Sequence, residues 1–205
     1  MATSAPALPA ECLIVRLPAG TRVTRVHWST NEPVWFGPGP GNLPGNRFDA
    51  PDGEFGTLYA AQELTGAFAE TVLRRAARIV AWPSVRRRSW STLELQRDVD
   101  VAQLHGGGLA WHGVTSDICS GDDYGPPQLL SLAFYSRNLD GIAYRSRHNN
   151  DEICYALYDR VTPAELKLVQ TSAFAEYPAV ADDLLNKVGA VWDPQLPLPD
   201  IDQLP

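Results

Sequence analysis

Hydrophobic and polar positions alternate along several short stretches, and this alternation predicts β-strands. The clearest example is "RVTRVHW", where Val23 and Arg25 alternate with Thr24 and Val26. Turn-forming residues bound the other apolar runs, and the polar turn "RHNND" joins two of them into a hairpin. The predicted strands cover residues 12–17, 22–28, 56–61, 91–96, 141–146, 152–158 and 165–170.

A helical period replaces the alternation in three longer segments. In residues 66–80 apolar side chains recur on one face, and Thr65 is the predicted N-cap. Residues 126–139 begin with prolines, which helix starts tolerate, and residues 179–192 form the third predicted helix. Strands and helices mix without strict βαβ alternation, so the pattern predicts one α+β domain over residues 1–205. Residues 1–11 and 193–205 are predicted to be irregular.

Composition narrows the possible functions. The net charge of −7 argues against non-specific nucleic-acid binding, and the one basic run, Arg86 to Arg88, is predicted to be a solvated loop. The three cysteines and four histidines show no metal-ligand spacing. No apolar stretch has the length of a membrane helix, and the N-terminus lacks the pattern of a secretory signal. We therefore expect a cytoplasmic protein without a bound metal.

The glycine- and proline-rich loop 36–46 precedes a set of candidate site residues. It lacks both phosphate-loop patterns, so a rigid connection is favoured over direct ligand contact. Arg25 lies in a strand with one buried face, and Arg47 follows the loop; two arginines suit a diphosphate. Glu70 has two interpretations, a site carboxylate or a surface ion pair with Arg74. By default Tyr59 is a half-buried aromatic residue, and Ser146 a hydroxyl at a strand end.

In combination these residues resemble the RES-domain family, which is named after an arginine, a glutamate and a serine in that order. Here "NRF" contains Arg47, "AFAET" contains Glu70 and "YRSR" contains Ser146. "LYAA" and "RVHW" add Tyr59 and Arg25. The resemblance covers about residues 20–160. It implies a fold like that of ADP-ribosyltransferases, with small antiparallel sheets around an NAD cleft and flanking helices.

The resemblance also implies a function: the toxin of a toxin–antitoxin pair that cleaves the nicotinamide–ribose bond of NAD⁺, with phosphate or water as acceptor. NAD⁺ is then a substrate, no further cofactor is expected, and the partner is an Xre-type helix-turn-helix antitoxin. Arg47, Glu70 and Ser146 are the expected catalytic residues, and Arg25 and Tyr59 are expected to bind NAD⁺ or phosphate. Two alternatives stay open, an ADP-ribosyltransferase that modifies a protein and a silent partner-binding module. A homodimer is a further possibility.

Overall fold

A computed structural model describes residues 8–39, 41–73 and 78–199. The strands are β1 (Ile14–Leu17), β2 (Arg22–Trp28), β3 (Thr57–Ala61), β4 (Ile79–Val80), β5 (Arg88–Leu95), β6 (Val99–Leu104), β7 (Gly141–Arg145), β8 (Ile153–Tyr158), β9 (Leu166–Ala173) and β10 (Val191–Trp192). The helices are α1 (Leu64–Val72), α2 (Trp82–Val85), α3 (Gly107–Trp111), α4 (Asp117–Ser120), α5 (Gly125–Tyr135) and α6 (Pro178–Lys187), with a 3₁₀ turn at Pro163–Glu165. The predicted α+β class is confirmed.

Eight strands form one sheet in the order β1-β6-β7-β8-β3-β2-β5-β9, and β10 and β4 form a separate parallel pair. Within the large sheet only β6 and β7 run parallel. The sheet is nearly divided between β3 and β2, which pair through a single position, Thr24 with Ala61. By contrast, β2 pairs with β5 along its whole length, and β3 does so with β8. In place of the separate small antiparallel sheets that the family resemblance implied, the protein has one large sheet whose two parts diverge at this seam.

Side chains on the two faces of the sheet pack into two cores. In β3, Leu58 and Ala60 pack on one face, while Ala61 packs on the other beside Phe68 of α1 and Phe134 of α5. This alternation follows from the two-residue period of a strand. The central strands β7 and β8 are buried on both faces. Helices α1 and α5 therefore lie on the same face of the sheet, where α1 packs against β2 and β3 at the seam and α5 packs against β7.

The predicted helix over residues 66–80 is wrong at both ends. Helix α1 begins at Leu64, and its N-cap is Glu63 rather than Thr65. It ends where Leu73 leaves helical geometry, with φ −88° and ψ 64°. Ile79–Val80 form β4, paired with β10. Apolar β-branched residues satisfy a helical period and a strand equally well, so only the presence of β10 decides between them.

Other differences between the predicted and the observed elements are smaller. Strand β6 was not predicted, although it lies inside the sheet between β1 and β7. Helix α5 ends at Tyr135, four residues before the predicted end, and α6 ends at Lys187, so Val191–Trp192 form a strand instead. The other predicted strands are present. Of the predicted irregular termini, residues 1–7 and 200–205 lie outside the described residues.

Candidate functional site

A cavity of about 400 Å³ opens at the seam between β2 and β3. Both strands contribute lining residues, α1 contributes Ala67, Glu70 and Thr71, and loop 45–47 closes another side. The volume falls in the range of small-molecule sites. Because β2 and β3 pair at one position only, the backbone itself leaves this space open.

The cavity is basic although the protein is acidic. Its described lining residues include four arginines, Arg25, Arg47, Arg88 and Arg147, against one carboxylate, Glu70. Arg25 projects from β2 and donates a hydrogen bond to the carbonyl oxygen of Trp35 at 2.8 Å. Burial lowers the pKa of Arg25 to about 10. Confined cations of this kind favour an anionic ligand, since an anion restores the interactions that burial removes.

Arg47 is the most constrained of these cations. Only 8% of it is exposed, and its guanidinium lies over the Tyr124 ring at 4.7 Å from the ring centroid. Within the described residues, its Nη1 has no hydrogen-bond partner. An unpaired buried donor is unfavourable by about 1–3 kcal/mol, and more for a charged group. The cavity therefore holds a charged donor that an anion would satisfy.

Glu70 lines the cavity from helix α1 and connects this helix to the turn that follows β7. Its Oε1 accepts hydrogen bonds from Ser146 Oγ at 2.7 Å and from the Arg147 amide at 3.0 Å. In the described part of the chain, Oε2 accepts none. The described residues thus fix the carboxylate through Oε1 only.

Ser146 lies behind Glu70 rather than in the cavity. Its side chain is buried, and the cavity lining does not include it. Besides donating to Glu70, its Oγ accepts hydrogen bonds from the amides of His148 at 3.2 Å and Asn149 at 3.1 Å. Ser146 therefore joins the turn after β7 to helix α1. The ion pair of Glu70 with Arg74 cannot be compared with this arrangement, because Arg74 lies outside the described residues.

Tyr59 lines the cavity with its ring, but its hydroxyl is engaged elsewhere. The hydroxyl donates to Asp49 Oδ1 and accepts from the Phe48 amide, both at 2.9 Å. Burial, reinforced by the charge of Asp49, raises the pKa of Tyr59 well above its usual value, so the phenol stays protonated. Its expected contact with NAD⁺ stays a prediction, and any such contact would use the ring.

A family comparison gives this arrangement its context. The model of the RES domain matches residues 20–180. The chain belongs to the RES-domain family. Among solved structures, a chain of the M. tuberculosis MbcT–MbcA toxin–antitoxin complex is similar, with a TM-score of 0.67 and 18% identity. The match covers 83% of the present chain and 92% of that one. No curated protein matches this sequence.

In this RES domain Arg47 and Glu70 line one cavity, and Ser146 donates a hydrogen bond that fixes Glu70. Arg25 and Tyr59 line the same cavity. The five residues come from β2, the loop before β3, β3 itself, α1 and the end of β7, so the fold gathers positions that are up to 121 residues apart (146 minus 25).

The sequence analysis missed further lining residues. Arg88 was assigned to a solvated loop, which is wrong: it lies in β5, is 9% exposed, and stacks on the Trp28 ring at 3.8 Å. Its neighbour Arg87 is exposed, as predicted. The alternating pattern from Ser89 to Leu95 could have indicated this, since a strand that begins one residue earlier includes Arg88.

Arg147 and His148 were also missed, although they follow Ser146 directly. Arg147 forms an ion pair with Asp122 at 2.7 Å, and His148 lines the cavity. Burial and the nearby arginines lower the pKa of His148, while Glu70 opposes the effect. This imidazole is therefore neutral at neutral pH.

Among the described residues no group of three or more His, Cys, Asp or Glu side chains could hold a metal ion. None of the described helices combines the length and apolar character needed to span a bilayer.

Proposed function

We propose that this RES-domain protein degrades NAD⁺ by cleaving the bond between nicotinamide and ribose. The observation that carries the proposal is Glu70, a carboxylate fixed by Ser146 and the Arg147 amide at a cavity whose described lining also includes four arginines. NAD⁺ matches this charge pattern, because its two phosphates are negative and its reacting ribose becomes positive as the bond breaks. The RES-family membership supports the same assignment.

The proposed reaction breaks the C1′–N bond, and its electron pair leaves with neutral nicotinamide. Positive charge then develops on the ribose ring, where Glu70 Oε2 stabilises it or orients the ribose hydroxyls. Arg25 and Arg47 hold the diphosphate through charge-assisted hydrogen bonds. Water as acceptor gives ADP-ribose and a proton, whereas inorganic phosphate gives a phosphorylated ADP-ribose. In the alternative arrangement, Arg47 binds that incoming phosphate instead of the diphosphate.

The decisive experiment is incubation of the purified protein with NAD⁺, with and without phosphate, followed by identification of the products. Release of nicotinamide with free ADP-ribose indicates a glycohydrolase, and a phosphate-dependent product indicates a phosphorylase. Transfer of label to a protein would favour an ADP-ribosyltransferase instead. Absence of turnover in folded protein would refute the proposal and favour a partner-binding module.

In the cell, we propose that the protein acts as the toxin of a toxin–antitoxin pair and is neutralised by an Xre-type antitoxin. The fold shared with a chain of a toxin–antitoxin complex supports this role. Expression of the protein alone should then lower cellular NAD⁺ and arrest growth, and co-expression of its antitoxin should restore both. Unchanged NAD⁺ during strong expression of folded protein would contradict the toxin role.

A further inference from the structure

Asp49 organises the loop that carries Arg47, although it does not line the cavity. Its side chain is fully buried. Oδ2 accepts hydrogen bonds from the amides of Gly45 at 2.9 Å and Asn46 at 2.7 Å, and from the Asn46 side chain at 3.1 Å. Oδ1 accepts from the Tyr59 hydroxyl at 2.9 Å. One carboxylate therefore satisfies four donors and ties the loop to strand β3.

These bonds bracket Arg47 on both sides. The amide before it, at Asn46, donates to Asp49, and the amide after it, at Phe48, donates to the Tyr59 hydroxyl that Asp49 itself holds. Helix α5 fixes the carbonyl groups of the same two residues, through Gln128 at Asn46 (3.1 Å) and Ser131 at Phe48 (2.8 Å). The peptide units on either side of Arg47 are thereby fixed.

The described residues restrain the Arg47 side chain less than its backbone. Its Nη1 has no hydrogen-bond partner within the described residues, and the contact of the guanidinium with the Tyr124 ring does not orient a donor. The direction of the guanidinium donors therefore depends on the backbone at residue 47. Sites that bind anions through bidentate geometry lose affinity when donors are displaced by an ångström.

We propose that Asp49 is a positioning residue, which acts through the backbone of loop 45–48 to aim the Arg47 guanidinium at the phosphate groups of the substrate. This inference rests on the proposed NAD⁺ site. It also assigns the Tyr59 hydroxyl a role in the same network, as the link between Asp49 and the Phe48 amide. A purely structural role for Asp49 would affect stability without depending on Arg47.

Asp49→Asn is the informative variant because it keeps size and one acceptor oxygen. That oxygen can still accept from the Gly45 and Asn46 amides, but the new amide group cannot accept the Tyr59 proton. The Tyr59 hydroxyl then loses its acceptor, and the new N–H donors compete with the Phe48 amide for the Tyr59 oxygen. Asp140→Asn is the matched control: Asp140 also accepts a backbone amide, that of Asp100, and pairs with Arg97 away from the cavity.

The test measures ADP-ribose binding by calorimetry and thermal unfolding for wild type, Asp49→Asn, Arg47→Ala, the double variant and Asp140→Asn. We expect Asp49→Asn to weaken binding about tenfold in the wild-type background and not at all in the Arg47→Ala background. The loss of thermal stability should be equal in both backgrounds. Asp140→Asn should lower stability and leave affinity unchanged.

An equal loss of affinity in both backgrounds, or an unchanged affinity in Asp49→Asn, would overturn the inference. If wild type binds no ADP-ribose, the positioning role and the proposed substrate site both fail. If wild type binds ADP-ribose and the double-variant pattern is as expected, but NAD⁺ is not cleaved, the positioning role stands and only the proposed reaction fails.

Discussion

Replacing Glu70 by glutamine separates a catalytic carboxylate from a structural one. The substitution keeps the length of the side chain and one oxygen that can accept the hydrogen bonds of Ser146 and the Arg147 amide. It removes the negative charge and places an amide group where Oε2 now lies. The fold should therefore survive, while the electrostatic character of the cavity changes.

The expected loss of kcat follows from the lining of the cavity. Glu70 is the only carboxylate among the described lining residues, so no neighbouring acid replaces its charge. Losing one preorganised electrostatic contact lowers kcat by about 10²–10³, which corresponds to about 3–4 kcal/mol of transition-state stabilisation. NAD⁺ binding should change much less, because the ribose becomes positive only as the bond breaks. Stability should change by less than about 1 kcal/mol.

The assay is nicotinamide release at saturating NAD⁺, with thermal unfolding measured in parallel. Glu63→Gln provides a matched control, since Glu63 is the N-cap residue of the same helix, is exposed and lies outside the cavity lining. Arg74→Ala tests the alternative in which Glu70 serves only as its ion-pair partner. A rate within about threefold of wild type for Glu70→Gln, or an equal loss in Arg74→Ala, would refute the catalytic assignment.

Three further predictions concern other groups. Arg47→Ala should weaken NAD⁺ binding about ten- to a hundredfold with an intact fold, because a charge-assisted contact is lost. Unchanged affinity for NAD⁺ would show that Arg47 does not bind the substrate. Arg88→Ala should raise the KM for NAD⁺ about tenfold, whereas its exposed neighbour Arg86→Ala should not, and equal KM values in steady-state kinetics would exclude Arg88 from the site. Burial lowers the pKa of His112 from its usual 6.5, so the unfolded chain takes up the proton first and stability should fall as pH drops below about 6.5. His112 Nε2 accepts from the Leu13 amide, so His112→Gln should flatten this decline in thermal melts between pH 8 and 5, and an unaltered slope would contradict the assignment.

The sequence by itself determined the fold class and the chemical character of the site. Two-residue alternation identified most strands of the sheet, because a strand with one buried face must alternate. The motifs around Arg25, Arg47, Tyr59, Glu70 and Ser146, in that order, indicated the RES family before any contact was known. Helix boundaries were less well predicted, because Ile79 and Val80 fit either period.

Only the tertiary structure decided which of these residues face a common space. Ser146 and Glu70 are 76 residues apart, and their hydrogen bond depends on where the end of β7 lies relative to α1. Arg88 faces the cavity because β5 pairs with β2 opposite Trp28, a register that no local pattern specifies. The cavity itself exists because β2 and β3 pair at a single position and then diverge. Periodicity reports the neighbours of a residue within a few positions along the chain, whereas strand order, register and divergence arise from contacts between distant segments.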